Sequence, residues 1–196
     1  MPRELSDEDR AASLRATLAA APDDPARQGV WLFVYGAMAA KPPFAPADAR
    51  TATLRGWSRR FDLFDPKRRG TPALPGLVLG LQPGDACEGV AFRIDAADLD
   101  KALGAVWAQE LLLPWYQPRW VEVAAAGHRF PALTMVTDRQ GGLLADLDEP
   151  RVLERLRVAR GEGGTNLAYL REVVDGLRGH GIEDERLNAL LERLPH

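Results

Sequence analysis

One segment sets the architecture of this chain: WLFVYGAM, residues 31–38. Its large apolar residues from Trp31 to Tyr35 are typical of a short buried strand, and Gly36 directly after them indicates a sharp turn. Backbone N–H groups in such a turn can converge on an anionic group, with the side chain of Tyr35 beside them. The segment therefore predicts a small-molecule site where the first strand ends.

The composition is that of one ordinary domain. Its 196 residues are enough to bury a substantial core. The net charge of −3, from 25 basic and 28 acidic residues, leaves no polybasic face, so we expect neither a nucleic acid nor a membrane as a partner. The single cysteine, Cys87, and the charged N-terminal segment without an apolar leader indicate a cytoplasmic protein. No apolar run approaches the roughly 20 residues that are needed to cross a bilayer.

The strand-like runs after this first segment are short, and turns separate most of them. They lie at residues 57–64, 77–81, 87–94, 120–123 and 131–136. The turn Pro83-Gly84-Asp85 predicts a hairpin between two of these runs, and Gly127-His128 predicts a turn between two others. Strands linked in this way favour an α+β fold with a small curved or barrel-like, mostly antiparallel sheet and flanking helices.

Helical patterns occur at both ends of the chain and in its middle. Ser6 and the acidic residues after it predict a helix over residues 7–21. Apolar spacings of three and four predict another before Pro114 and three more after Glu149. We expect residues 1–30 to form a helix-and-loop extension and residues 31–196 to form the domain.

Glu110 is the main chemical candidate, because it is a carboxylate on the apolar helical stripe that contains Val106 and Trp107. If the side chain is buried, desolvation raises the pKa of its carboxyl group and suits it to exchange protons near neutral pH. Alternatively, it reaches solvent at the helix end or pairs with an arginine such as Arg119. The periodicity leaves both interpretations open.

Other reactive or glycine-rich features have structural interpretations. Cys87 has no CxxC partner and is expected to fill the core. The glycine-rich segment 161–164 lacks a Walker lysine and does not follow a strand, so we expect it to join two helices. The histidines lack the spacing of metal ligands and are expected at the surface. They are His128, His180 and His196.

The basic turn KRRG, residues 67–70, is the remaining candidate. Solvation of its charged side chains is the simpler interpretation. The planar fork of an arginine nevertheless pairs well with a carboxylate. Arg69, directly before Gly70, is therefore kept as a candidate pocket residue.

Several segments, in order along the chain, resemble the gamma-glutamylcyclotransferases, and among them the ChaC-like, glutathione-specific branch. The first strand and turn, with Lys41-Pro42 after them, resemble the family's Tyr-Gly-Ser-Leu signature and the basic residue and proline that follow it. Residues 107–121 resemble the segment that carries the family's catalytic glutamate. The other matching blocks are residues 69–78, 87–94, 161–170 and 181–184.

The resemblance implies a compact mixed fold around a small barrel-like sheet, with no metal or cofactor. It implies that the α-amine of a γ-glutamyl group attacks its own γ-carbonyl, a lyase reaction that releases 5-oxoproline and, from glutathione, Cys-Gly. Glu110 would then be the general acid and base. The substrate-binding residues implied by the resemblance are Val34, Tyr35, Gly36, Ala37, Met38, Ala39, Ala40, Arg69 and Tyr116.

Two positions depart from the family pattern. Ala37 stands where the signature has a serine, so one hydroxyl hydrogen bond, worth about 0.5–1.5 kcal/mol, is absent. Gln109 stands where the family usually has an arginine, which removes a charge partner for Glu110. These departures motivate an alternative, a non-catalytic γ-glutamyl-binding or regulatory homologue. A third interpretation keeps the enzyme but gives it another γ-glutamyl amine or peptide as its substrate.

Overall fold

A five-stranded barrel forms the centre of the protein, whose computed structural model describes residues 3–194. Its strands are β1 (Val30–Val34), β2 (Asp48–Asp65), β3 (Gly76–Ile94), β4 (Tyr116–Ala125) and β5 (His128–Thr137). They form a closed barrel in the order β1, β3, β2, β4, β5. All neighbours are antiparallel except β1 and β5, which run parallel where Leu32 pairs with Leu133. The predicted α+β fold with a mostly antiparallel, barrel-like sheet is confirmed.

The hairpin predicted about Pro83-Gly84-Asp85 is wrong. Strand β3 continues through these residues and pairs with β2 over almost its whole length. The reason lies in the partner strand, where a bulge between Arg55 and Trp57 places Gly56 at a φ of 80°. Trp57 is paired with Pro83, so the proline falls at an irregular point of the ladder, where its missing N–H is tolerated.

Helices pack outside the barrel. They are α1 (Asp7–Ala19), α2 (Pro25–Gln28), α3 (Leu99–Glu110), α4 (Glu149–Val158), α5 (Asn166–Arg178) and α6 (Glu185–Glu192). The capping predicted at Ser6 is confirmed, because its hydroxyl accepts the N–H of Asp9 while the Asp9 carboxylate accepts the N–H of Ser6. Within residues 3–194, no helix combines the length and the apolar character that a membrane span requires.

The glycine-rich segment joins α4 to α5, as predicted, and it does so as a small hairpin. Its two strands are β6 (Arg160–Gly161) and β7 (Gly164–Thr165). The side chain of Thr165 then accepts the N–H of Ala168 and begins α5. The hairpin therefore sets where α5 starts.

Strand β1 is almost wholly buried, as its unbroken apolar run predicts. It leads through Gly36 into a 3₁₀ turn over Ala37–Ala39. Helix α5 packs against this turn so closely that a Cβ on Gly176 would lie 2.7 Å from the Cβ of Ala40. The turn is therefore held between the end of the barrel and α5.

Candidate active site

A cavity of about 800 Å³ opens where β1 ends. Its wall combines the turn after β1, the basic turn between β2 and β3, the end of α3, the start of β4 and one face of α5. The predicted site residues that line this Glu110 cavity are Val34, Tyr35, Gly36, Ala37, Met38, Arg69, Glu110 and Tyr116. The fold thus brings together residues from distant parts of the chain.

Ala39 and Ala40, also predicted to bind substrate, lie behind the turn. Ala39 is buried, and its carbonyl oxygen lies 3.1 Å from Nε2 of His180. Ala40 is exposed to solvent on one side and packs on Gly176 on the other. Among the described residues that line the cavity, neither alanine appears. Their contacts support the position of the turn.

Gly36 has an extended backbone, with φ −137° and ψ −149°, so the turn does not depend on a left-handed glycine. A Cβ at this position would lie 3.7 Å from Cδ1 of Leu79 and 3.8 Å from the hydroxyl of Tyr169, both of which line the cavity. The glycine therefore keeps space open beside the turn. The N–H groups of Ala37 and Met38 have no hydrogen-bond partner within residues 3–194, which leaves them available to a ligand.

A buried arginine holds the residue before this turn. Arg59, in β2, donates from Nη1 to the carbonyl oxygen of Tyr35 at 2.8 Å and from Nη2 to the carbonyl oxygen of Glu88. Its Nε pairs with Asp184 at 2.8 Å, and Asp184 also accepts the N–H of Leu187 to cap α6. Removing one partner of a buried ion pair leaves an uncompensated charge, so this network fixes the end of β1 firmly.

Glu110 is the last residue of α3, and it is half-buried in the cavity wall. Desolvation raises the pKa of its carboxyl group, whereas a hydrogen bond from Gln109 and the charge of Arg68 act in the opposite direction. Nε2 of Gln109 donates to Oε1 of Glu110 over 3.0 Å. The alternative in which Glu110 pairs with Arg119 is wrong, because that guanidinium lies over the ring of Trp57.

All of the tyrosines of the chain line this cavity. The hydroxyls of Tyr35 and Tyr116 donate to the carbonyl oxygens of Met135 and Leu79, at 2.8 and 2.7 Å. The hydroxyl of Tyr169 instead accepts the N–H of Leu79 at 3.3 Å, so its own proton remains available to a ligand. Desolvation raises the pKa of each of these hydroxyls, which therefore stay neutral.

Several residues of the cavity wall were not selected from the sequence as site residues, among them Arg68, Tyr169 and Glu172. Arg69 brings two of them together, since its guanidinium pairs with Glu172 at 3.2 Å and lies over the ring of Tyr169 at 5.0 Å. Tyr169 lies in segment 161–170, which resembles the family, so this resemblance could have identified it from the sequence. Glu172 follows Tyr169 by about one helical turn on α5, so helical spacing would have placed it on the same face.

The remaining sequence candidates lie elsewhere. Cys87 is buried, and desolvation raises the pKa of its thiol to about 11, which confirms its predicted role as a core residue. His128 is exposed, as predicted. His180 is half-exposed, and its ring packs on Phe92. His196 lies outside the described residues.

The barrel fold is similar to the fold of solved structures, one of which is a gamma-glutamyl cyclotransferase. The crystal structure of a gamma-glutamyl cyclotransferase specific to glutathione from yeast has a TM-score of 0.76 at 21% identity, over 83% of this chain and 94% of the other. YkqA from Bacillus subtilis has a TM-score of 0.56 at 21% identity, over 85% of this chain and 55% of the other. These comparisons place the fold in the gamma-glutamylcyclotransferase class.

The sequence comparisons are more specific. The family model described as ChaC-like protein matches residues 30–195. The glutathione-specific gamma-glutamylcyclotransferase of Escherichia coli K12 is 35% identical over 95% of this chain and 80% of its own length. The human glutathione-specific gamma-glutamylcyclotransferase 1 is 32% identical over 84% of this chain and 78% of its own length. The chain belongs to the ChaC-like protein family, which confirms the resemblance found in its motifs.

Proposed function

We propose that this chain is a gamma-glutamylcyclotransferase that converts glutathione to 5-oxoproline and Cys-Gly, with Glu110 as general acid and base. The observation that carries the proposal is that a carboxyl group of raised pKa shares one cavity with the unpaired N–H groups of the turn after β1. The names of the E. coli and human relatives support glutathione as the substrate. Glutathione keeps cytosolic thiols reduced, so we place the protein in the cytoplasm.

The chemistry requires positioning and proton transfer. Because nucleophile and electrophile belong to one molecule, the site has to hold the γ-glutamyl arm folded so that its amine approaches its γ-carbonyl. The α-ammonium is protonated at neutral pH, and Glu110 removes a proton from it. The amine attacks the γ-carbonyl carbon, and the C–N bond to cysteine breaks. Glu110 returns the proton to the departing nitrogen, and a second proton follows the same route to give the lactam N–H and a protonated Cys-Gly.

The other cavity groups supply hydrogen-bond donors for the substrate. We assign the N–H groups of Ala37 and Met38 to the α-carboxylate of the γ-glutamyl group. We assign the hydroxyl of Tyr169 to the γ-carbonyl oxygen, whose negative charge grows in the transition state. Ala37 takes part through its backbone, so the missing serine hydroxyl weakens this arrangement without removing it.

Incubation of the purified protein with glutathione, followed by chromatographic detection of 5-oxoproline and Cys-Gly, tests the proposal. We expect both products in equal amounts at a rate proportional to protein concentration. No product at high protein concentration contradicts the proposal. Thermal stabilisation by glutathione without product would favour the non-catalytic binding protein that Ala37 and Gln109 suggest. Faster turnover of other γ-glutamyl amines or peptides would redirect the substrate assignment.

A further inference from the structure

A buried carboxylate fixes the backbone of the basic turn, residues 67–70, from one side. Asp65, at the end of β2, is fully buried. It accepts the N–H groups of Lys67 at 2.9 Å, Arg68 at 2.8 Å and Arg69 at 3.1 Å. Hydrogen bonds to an ionised acceptor are strong, and more so away from water. The backbone of the turn is therefore rigid even though its side chains are cationic.

The hairpin formed by β6 and β7 fixes the same turn from the opposite side. The N–H groups of Glu162 and Gly163 donate to the carbonyl oxygens of Lys67 and Arg68, at 3.0 and 2.8 Å. A Cβ at Gly161 would lie 2.3 and 2.5 Å from those two oxygens, so a glycine is needed for this approach. The glycine-rich segment thus holds the basic turn in place beside the Glu110 cavity.

The two arginines of the turn that line the cavity have different surroundings. The guanidinium of Arg69 donates to the carbonyl oxygen of Gly163 at 2.6 Å and pairs with Glu172 at 3.2 Å. The guanidinium of Arg68 is half-buried and lies 5.9 Å from the ring centre of Trp115. It has no hydrogen-bond or ion-pair partner in the part of the chain that the structure describes. A cation on a rigid backbone, with no hydrogen-bonded or ion-paired anion in its cavity, is suited to bind an anionic ligand.

We propose that Arg68 binds the glycine carboxylate of glutathione and thereby selects glutathione among γ-glutamyl compounds; this rests on the proposed function. If Glu110 protonates the nitrogen of the leaving Cys-Gly, the terminal carboxylate lies at most about 7 Å further along the extended dipeptide. Arg68 and Glu110 line the same cavity, so a substrate whose leaving nitrogen lies at Glu110 can extend its terminal carboxylate towards Arg68. With the α-carboxylate on the turn after β1, the glycine carboxylate is the remaining anionic group of the substrate.

The test combines two substrates with two matched variants. Turnover is measured on glutathione and on its ethyl ester at the glycine carboxylate. Arg68→Met should lower kcat/KM for glutathione on the order of tenfold to a hundredfold, mostly through KM, and leave the ester within about twofold. Lys67→Met removes the same charge from the same turn but outside the cavity, where Lys67 pairs with Glu4, and should leave both substrates unchanged.

The two proposals fail in different ways. Equal losses for glutathione and its ester would overturn the role of Arg68, because an effect through Glu110 or through the fold touches both substrates alike. No turnover of either substrate by the unmodified protein would contradict the proposed function. In that case calorimetric titration with the same two ligands still tests Arg68. The unmodified protein should bind glutathione more tightly than the ester, and a preference that survives in Arg68→Met overturns the inference.

Discussion

Two cavities of similar size each contain a carboxyl group of raised pKa, but only one of them has the surroundings of an active site. The Glu110 cavity measures about 800 Å³ and the Asp62 cavity, lined by β2, the loop before α4 and α6, about 700 Å³. Desolvation raises the pKa of both groups, for Asp62 to about 6. Burial of an acid is therefore common to both, and it is the neighbouring groups that differ.

Glu110 shares its cavity with hydrogen-bond donors that have no partner among the described residues, whereas the neighbours of Asp62 are occupied or blocked. Gln82 donates to Oδ2 of Asp62 and accepts from Arg139 at 2.6 Å. Oδ1 of Asp62 and Oγ1 of Thr137 have no partner within residues 3–194. These two oxygens would each lie 2.2 Å from a Cβ at Gly80, so they are packed against the backbone of β3 and do not border an open space. A perturbed carboxyl group thus indicates a catalytic site only when ligand-accessible donors converge beside it.

The same chemical change in the two cavities gives the largest expected contrast. Glu110→Gln should lower kcat at least a hundredfold, because general acid–base catalysis contributes about 10²- to 10⁴-fold. Asp62→Asn should leave kcat within about twofold. The measurement is the initial rate of 5-oxoproline formation at saturating glutathione, with circular dichroism to verify folding. A comparable loss in Asp62→Asn would show that both carboxyl groups serve the reaction.

Asp62 should affect the pH dependence of the free energy of unfolding. Its pKa of about 6 in the folded protein exceeds the ordinary value of 3.8. Between these values the folded protein keeps a proton that the unfolded chain has lost, so the free energy of unfolding falls as the pH rises from about 4 to 6 and stays low above it. Asp62→Asn removes this dependence. Relative to the unmodified protein, the variant should gain up to about 3 kcal/mol between pH 4 and pH 7, from a shift of about two pKa units.

Urea denaturation of the unmodified protein and of Asp62→Asn, each at pH 4 and pH 7, measures this change in the difference between their free energies of unfolding. Comparing the variants within each pH cancels the contributions of the other acidic residues, which are common to both. Identical pH dependence of the two proteins would mean that Asp62 is hydrated in the folded state. The two cavities would then also differ in how deeply they bury their carboxyl groups.

Local sequence patterns predicted much of the fold and part of the candidate site. Ser6 identified the start of α1 because a capping box depends on neighbours three residues apart. The hairpin predicted at Pro83-Gly84 is wrong because these residues pair with an irregular point of β2, and the bulge at Gly56 that creates it lies on that partner strand. Register and bulges are properties of strand pairs, and one strand's residues do not encode them.

The residues of the candidate site show the same difference between local sequence patterns and tertiary contacts. The turn after β1 and Glu110 were found because each is carried by a short contiguous motif. The significance of Arg68 depends on the approach of the β6–β7 hairpin to the basic turn, which Gly161 permits. The two segments are far apart in the sequence, and nothing within either one specifies the other. The tertiary structure, and not the local sequence, therefore determines that Arg69 is paired and Arg68 is not.

Replacing one glycine beside each cavity with alanine gives the smallest expected effects and separates the roles of the two cavities. At Gly36 a new Cβ meets only ordinary contacts of 3.7 and 3.8 Å, so Gly36→Ala should change the free energy of unfolding by no more than about 1 kcal/mol. The methyl group would stand in the Glu110 cavity beside the turn. We expect kcat/KM for glutathione to fall on the order of tenfold, because the substrate is displaced from its reactive geometry.

Gly80→Ala should behave in the opposite way. Its Cβ would force apart Asp62 and Thr137, whose oxygens lie 2.2 Å from that position, and overpacking of this kind costs about 1–3 kcal/mol. Turnover per folded molecule should remain within about twofold, since the Glu110 cavity is untouched. Urea denaturation and glutathione turnover on both variants decide the matter. A stability loss at Gly36 with normal turnover would mean that the turn is a structural element, and the substrate would then have to bind elsewhere in the cavity.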